Sequence, residues 1–273
     1  MFTNATAATL PEFNTSFGIR ADHASLEALA KEVQMPEALP SGQVPVLNKG
    51  GGYAILSLDT VSQACVDYCA SGNKTLLDIG AGYGTISLPA LHNADCTVIS
   101  ADIGTENLLV IRNRASAEDR SRLFLNNQRF PNLLTLPDNS LDAVALSQVL
   151  HFLTGAEIEA GLQNIARWLK PDGKLFITTS SPFIKILTAF MPTYQSRVAA
   201  NLTWPGAIEN FNQLRPWMTN LPTFFHVIDH ATIEKALVRN GFKVEEMVFV
   251  DRRQTIPSLA LDGKEDIGVI ARR

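Results

Sequence analysis

A chain of 273 residues, 46% of them hydrophobic, is long enough for one αβ domain with an insertion and can bury a sizeable core. A formal net charge of −4 supplies no basic field for nucleic acid or for an anionic membrane surface, so neither is an expected partner. The three cysteines, Cys65, Cys69 and Cys96, are odd in number and include no C-x-x-C pair, which favours small buried thiols over a disulfide or metal framework.

No basic stretch followed by an apolar run opens the sequence, and no apolar run reaches membrane-spanning length, so the expected setting is cytoplasmic. Residues 1 to 20 lack periodicity and read as an arm. From Asp22, a residue type that caps helices, Leu26, Leu29, Ala30 and Val33 fall on one helical face. Residues 1–49 are therefore expected to form an arm and a helical lid, closed by a Pro- and Gly-rich linker from Met35 to Lys49. Gly50 to Gly52 then precede Tyr53; they either let Tyr53 approach a ligand or serve as a hinge. The next helix keeps Ile55, Leu58, Val61, Ala64, Cys65 and Tyr68 apolar and ends at Ser71-Gly72-Asn73.

Lys74 to Thr85, K-T-L-L-D-I-G-A-G-Y-G-T, reads as a buried parallel strand that turns sharply through Gly80, Gly82 and Gly84 into a helix. Glycines let the chain reverse there and leave the backbone open to a ligand. A second apolar run, Cys96 to Ala101, ends in Asp102, where nucleoside sites place a carboxylate for the ribose hydroxyls. An adenosine ligand follows from the two acid-tipped strands. Thr85 stands where the dinucleotide fingerprint G-x-G-x-x-G needs its third glycine, which counts against a nicotinamide cofactor.

Glu106 to Ser116 predicts a helix, Arg122 to Asn126 a third strand, and Asp138 to Ser147 a polar turn feeding a buried fourth strand. A helix from Ala156 to Leu169, a turn from Leu169 to Lys174 and a fifth strand from Leu175 to Thr179 complete an alternation that implies a parallel sheet with right-handed crossovers. Pro182 to Phe225 interrupts it with an apolar, proline-broken segment. Such an insertion sits above the carboxyl ends of the strands, where open αβ sheets bind ligands, and reads as a helical substrate cap or as the surface of a homodimer.

Four stretches, in order, resemble the class I S-adenosylmethionine-dependent methyltransferases. They are the G-x-G-x-G turn with Asp78 two residues upstream, L-P-D-N-S-L-D-A-V-A-L-S-Q-V-L-H-F-L, W-L-K-P-D-G-K-L-F-I-T, and A-T-I-E-K-A-L-V-R-N-G-F-K-V-E-E-M-V-F-V followed by D-I-G-V-I-A-R-R. The resemblance implies an α/β fold, a doubly wound, mostly parallel seven-stranded sheet with an antiparallel final strand. It divides the chain into an N-terminal lid (1–49), a cofactor-binding half (50–181), a helical cap (182–227) and a C-terminal helix and strand pair (228–273).

Carried over residue by residue, it also implies site roles, with S-adenosyl-L-methionine as cofactor. Gly80, Ala81 and Gly82 would present backbone to the methionine part, Asp78 would meet its ammonium, Asp102 the ribose, and Ile103 the adenine face. Ser147 would lie beside the sulfonium with Gln148 and His151 nearby. Phe130 stands where relatives often carry an acid for the adenine amino group, so stacking, or Asn127 or Gln128, would hold the base. His151, His226 and Tyr53 are the candidate general bases, and Tyr53, Tyr83, His151, Phe190, Trp204 and Trp217 the candidate substrate contacts; His151 reads equally well as a packing residue. No acid cluster suggests a metal, and S-Q-V-L replaces the N-P-P-Y of relatives that methylate exocyclic amines or glutamine. The expected activity is in-line methyl transfer to a small, partly hydrophobic molecule at oxygen; a protein acceptor, or a non-catalytic cofactor-binding assembly module, is the alternative.

Overall fold

The computed structural model describes residues 9–48, 52–93, 95–214 and 222–273. Its sheet begins earlier than the periodicity suggests: Ile19–Arg20 (β1) pairs antiparallel with Leu125 and Phe124, a contact too short to leave a pattern in the sequence. Helix α1 runs only over Leu26–Lys31 with Ser25 at the N-cap, while Asp22 pairs with Arg20 at 2.6 Å. Within the expected linker, Val44–Pro45 (β2) pairs with Tyr53–Ala54 (β3). Helix α2, Thr60–Cys69, starts where Asp59 Oδ1 accepts the backbone N–H groups of Val61 and Ser62 at 3.1 and 2.8 Å. Ile55 and Leu58 therefore precede the helix.

The alternating core follows as β4 (Thr75–Ile79), α3 (Ser87–Asn93), β5 (Thr97–Ala101), α4 (Thr105–Arg114), β6 (Leu123–Asn126), β7 (Leu141–Ser147), α5 (Gly155–Trp168) and β8 (Leu169–Ser180). The expected turn after Leu169 is taken up inside β8 as a break in register with β7, Asp172 standing at φ +63°. The inserted segment holds α6 (Met191–Ala199), β9 (Ala207–Ile208), α7 (Phe211–Leu214) and β10 (Phe225–His226). Helix α8 (His230–Arg239) leads to β11 (Lys243–Val250) and β12 (Asp266–Arg272).

The sheet has eight strands in the order β1-β6-β5-β4-β7-β8-β12-β11, one more than the seven expected, the addition being β1. β6, β5, β4, β7 and β8 run parallel, while β12 enters antiparallel between β8 and β11. Alternate residues of each strand serve opposite faces. Leu77 and Ile79 join the apolar layer of α5 and α8, around Leu162, Trp168 and Ile233, whereas Leu76 joins the layer of α2, α3 and α4, around Val66, Leu91 and Leu108. From β4 the chain moves outward to β5 and β6, then returns to the other flank with β7, which leaves a topological switch point between β4 and β7. Ligands of open αβ sheets bind at such a crevice, outside the carboxyl ends. Among the described residues no helix is long and apolar enough to cross a membrane.

Candidate functional site

The turn after β4 occupies that crevice. Gly80, Gly82 and Gly84 have φ of +70°, +51° and +81°, a region that side chains strain, and a Cβ on Gly80 would stand 2.3 Å from Val149 Cγ2. The Gly80 and Ala81 N–H groups donate to the Ala101 carbonyl at 2.8 and 3.1 Å, binding the turn to the end of β5. Asp102, the next residue, is held by its own loop: Oδ2 accepts from Gly82 N at 2.9 Å, and Oδ1 from Gly104 N at 2.8 Å and Asn107 Nδ2 at 3.1 Å. Burial raises its carboxyl above the usual range, and the backbone donors oppose that rise.

Asp78 lies deeper, at 2% exposure, and its Oδ2 accepts from both the Ser87 hydroxyl (2.6 Å) and N–H (3.2 Å). Oδ1 accepts nothing from the described residues. Burial pushes this carboxyl up to about 7. Ile103, which follows Asp102 and also lines the cavity, is an apolar side chain left 57% exposed.

These groups line one cavity of about 450 Å³, which runs along the carboxyl edge of the sheet to the inserted segment. Every residue that the resemblance assigns to the cofactor lines it: Asp78, Gly80, Ala81, Gly82, Asp102, Ile103, Phe130, Ser147 and Gln148. Phe130 is otherwise buried in the α5 layer, and Gln128 and Arg129 are polar side chains near it at the cavity wall. Gln148, at the tip of β7, takes φ +59°.

Of the candidate substrate contacts, Tyr53, Tyr83 and His151 line the cavity. Tyr83 is fully buried and its hydroxyl donates to the Pro45 carbonyl at 2.7 Å, so it ties β2 to the glycine turn. Phe190 and Trp204 are not part of the lining. Phe190 belongs to the inserted segment's own apolar cluster, and the Trp204 indole packs against Gly155 and edge-on to His226. His226 is also outside the lining; its Nδ1 bonds the Leu153 carbonyl at 3.0 Å, and burial takes its pKa down to about 4. Trp217 lies outside the described residues.

His151 is 6% exposed, stacked on Phe225 at 4.9 Å between ring centroids and edge-on to Phe152 at 4.1 Å. Its Nδ1 has no partner among the described residues. Burial drops its pKa to about 3, so the ring is neutral at physiological pH.

A polar cluster that local sequence reading misses lines the far end. Arg252 donates through Nε to Asp266 Oδ2 at 2.6 Å and through a terminal nitrogen to Asp59 Oδ2 at 3.2 Å. Gln148 Nε2 donates to the same Asp266 oxygen at 2.7 Å. Glu265 accepts the N–H groups of Arg252, Leu261, Asp262 and Gly263 at 2.6–3.0 Å. The available signal was the adjacent Glu265-Asp266 pair heading an apolar strand, a position where charge has to be explained. Among the described residues no group of three or more His, Cys, Asp or Glu side chains is arranged to hold a metal ion.

Residues 77–177 match the model of a family described as a methyltransferase domain. No curated protein matches the chain. Among solved structures, an S-adenosylmethionine-dependent methyltransferase from Mesorhizobium loti is 18% identical with a TM-score of 0.58, the match covering 78% of this chain and 98% of that one. The 1,6-didemethyltoxoflavin-N1-methyltransferase of Burkholderia thailandensis, with its substrate and S-adenosylhomocysteine bound, is 15% identical with a TM-score of 0.52, covering 79% of each chain. The geranyl diphosphate C-methyltransferase of Streptomyces coelicolor, in complex with Mg2+, geranyl diphosphate and S-adenosylhomocysteine, is 12% identical with a TM-score of 0.54, covering 78% of each chain. These structures share the fold. The methyltransferase-domain match spans the central strands and the glycine turn at the switch point, and the chain shares the fold of these S-adenosylmethionine-dependent methyltransferases.

Proposed function

We propose that the protein transfers the methyl group of S-adenosylmethionine to an oxygen of a small, partly hydrophobic molecule. The observation that carries this reading is the cavity that joins the glycine turn and Asp102 at one end to the rings of Phe152, Phe211, Phe225 and the neutral His151 at the other. The cofactor supplies an activated methyl on a sulfonium. Its fit rests on three features: side-chain-free backbone at Gly80 and Gly82, a carboxylate oxygen of Asp78 that has no donor among the described residues and is left for the ammonium, and the exposed apolar side chain of Ile103 for the base.

In this reading Asp102 holds the ribose, and the Ser147 backbone at the end of β7 borders the reacting groups. The chain's main task is alignment, since holding reactants in attack geometry is worth roughly 7 to 11 kcal/mol. His151, kept neutral by burial and lining the cavity, accepts the acceptor's hydroxyl proton on a ring nitrogen, a contribution on the order of a hundredfold to ten-thousandfold. Residues 182–227 serve as the cap in this reading: Ile184, Phe211 and Phe225 line this end, together with Ile256 and Leu259 from the loop before β12. An apolar, aromatic lining of this size suits a small molecule, and the toxoflavin and geranyl diphosphate enzymes of the same fold also act on small molecules.

The test is incubation with methyl-labelled S-adenosylmethionine and a panel of small phenols, alcohols and amines beside unfolded protein. Label recovered on a small-molecule oxygen is the expected result. Label confined to protein would overturn the reading.

A further inference from the structure

Asp102 has less room for hydrogen bonds than the two neighbouring hydroxyls of a ribose ask of it. An ionised carboxylate offers about four acceptor positions, shared between its two oxygens. Oδ1 already accepts from Gly104 N at 2.8 Å and from Asn107 Nδ2 at 3.1 Å, and Oδ2 accepts from Gly82 N at 2.9 Å. These contacts leave a position on Oδ2 for one hydroxyl, and the other needs a partner elsewhere.

A neighbouring amide can supply it. Asn107, in the first turn of α4, is fully buried, and its Oδ1 accepts the Leu47 N–H at 3.1 Å, which fixes the orientation of its side chain. Its Nδ2 then donates twice, to Asp102 Oδ1 and, at 2.7 Å, to Asn48 Oδ1. Asn48 is fixed in turn: the atom that meets a donor has to be its oxygen, so the NH2 group is the other end of its amide. Among the described residues nothing accepts from that NH2 group. Asn48 and Asp102 both line the cavity, and their Oδ1 atoms share one donor nitrogen, so they lie no further apart than its two bonds laid end to end.

The arrangement is tight. A Cβ on Gly104 would stand 2.6 Å from Asn107 Nδ2 and 2.8 Å from Asn48 Oδ1, so glycine is what lets the two amides meet beside the Asp102 loop. The backbone leading to Asn48 is tied down by the Leu47 N–H on Asn107 and by the Tyr83 hydroxyl on the Pro45 carbonyl at 2.7 Å. A side chain already held in place loses little further freedom when it takes up a ligand.

We propose that Asn48 is a second ribose-binding residue: its NH2 group donates to one hydroxyl of the cofactor's ribose, while the other hydroxyl donates to Asp102 Oδ2. Asn107 is the positioning residue that holds both. The inference rests on the cofactor reading of the cavity. It divides between the segment before β3 and the loop after β5 a recognition that the resemblance places on Asp102 alone.

Calorimetric titration of the wild type and of Asn48→Ala with S-adenosylhomocysteine and with its 2′-deoxy and 3′-deoxy analogues tests the division. Asn48→Ala should bind S-adenosylhomocysteine about fivefold more weakly, as loss of one neutral hydrogen bond implies. With the analogue that lacks the hydroxyl met by Asn48, variant and wild type should bind alike; with the other analogue the difference should persist. A difference of equal size for all three compounds would make Asn48 an anchor of its own segment and overturn the inference, as would unchanged affinity for S-adenosylhomocysteine. A measurement on the wild type decides if the variant fails to fold. In 15N-labelled protein the side-chain NH2 signals of Asn48 should shift on saturation with S-adenosylhomocysteine, and far less with one deoxy analogue than with the other. Equal shifts with both analogues, or none with any compound that binds, overturn the inference and leave the cofactor reading standing. A wild type that does not bind S-adenosylhomocysteine overturns both.

Discussion

Asp78 ties burial to pH. Its carboxyl titrates near 7 in the folded chain against roughly 3.9 when unfolded, so folding favours the protonated form. The stability this group contributes is complete below about pH 4 and is lost as pH rises through about 7, a swing on the order of a few kcal/mol. Thermal unfolding of the ligand-free protein from pH 5 to 8 should show the loss, and Asp78→Asn should flatten it. Cofactor binding should run the other way. Pairing with an ammonium needs the carboxylate, so S-adenosylhomocysteine affinity should climb with pH up to about 7 and then level. A flat profile from pH 5.5 to 8 would remove Asp78 from the ammonium site.

His151 makes a second prediction at this scale. Held down to about 3 by burial, the ring is already neutral across the working range. The kcat of methyl transfer should therefore lack the acid limb near 6.5 that an exposed histidine base would give. His151→Phe should lower kcat by on the order of a hundredfold or more while changing S-adenosylhomocysteine affinity little. Loss of both together would assign the residue to packing.

At the scale of elements, the junction of the inserted segment and the core rests on Gly155, the first residue of α5. A Cβ there would come within 2.1 Å of the Trp204 indole, so the ring lies directly on the helix start. Gly155→Ala should lower stability by roughly 1 to 3 kcal/mol through overpacking. If residues 182–227 act as a substrate cap, it should also weaken acceptor binding more than S-adenosylhomocysteine binding, as chemical denaturation and paired titrations would read.

The elements differ in how plainly the sequence announces them, for physical reasons. β4, β5 and β7 are buried on both faces and so read as unbroken apolar runs, two of them ending next to an acid of the cavity wall. β1, β2 and β3 have two residues each and no room for a pattern. Ile55 and Leu58 extend the helical spacing of α2 backwards, yet the chain there is committed to the turn after β3, and Asp59 sets the true start. The glycine turn was visible because three positive φ angles need three glycines. The cluster of Asp59, Arg252 and Asp266 was not, since it joins residues 193 positions apart and no local window contains it. Gln148 at φ +59° and the packing of Phe190 and Trp204 away from the cavity are likewise settled by tertiary contacts.

For the whole molecule, the sheet's order sets the division of labour. The chain leaves β4 in opposite directions for β5 and β7, and the cavity spans both flanks along one carboxyl edge. In the proposed reading, ribose and adenine fall on the β5 side, with Asp102 and Ile103, and the acceptor on the side of β7, β8 and β12. Everything proposed about the acceptor depends on the cofactor filling the first of these flanks.

The most direct test is calorimetric titration of the wild-type protein and of Asp102→Ala with S-adenosylmethionine, S-adenosylhomocysteine and NAD. The wild type should bind both sulfur nucleosides at micromolar strength and should not bind NAD. Asp102→Ala should lose at least roughly tenfold in affinity, as removal of hydrogen bonds to a charged group implies. Unchanged affinity in the variant, or a wild type that binds NAD and neither sulfur nucleoside, would contradict the account at its centre.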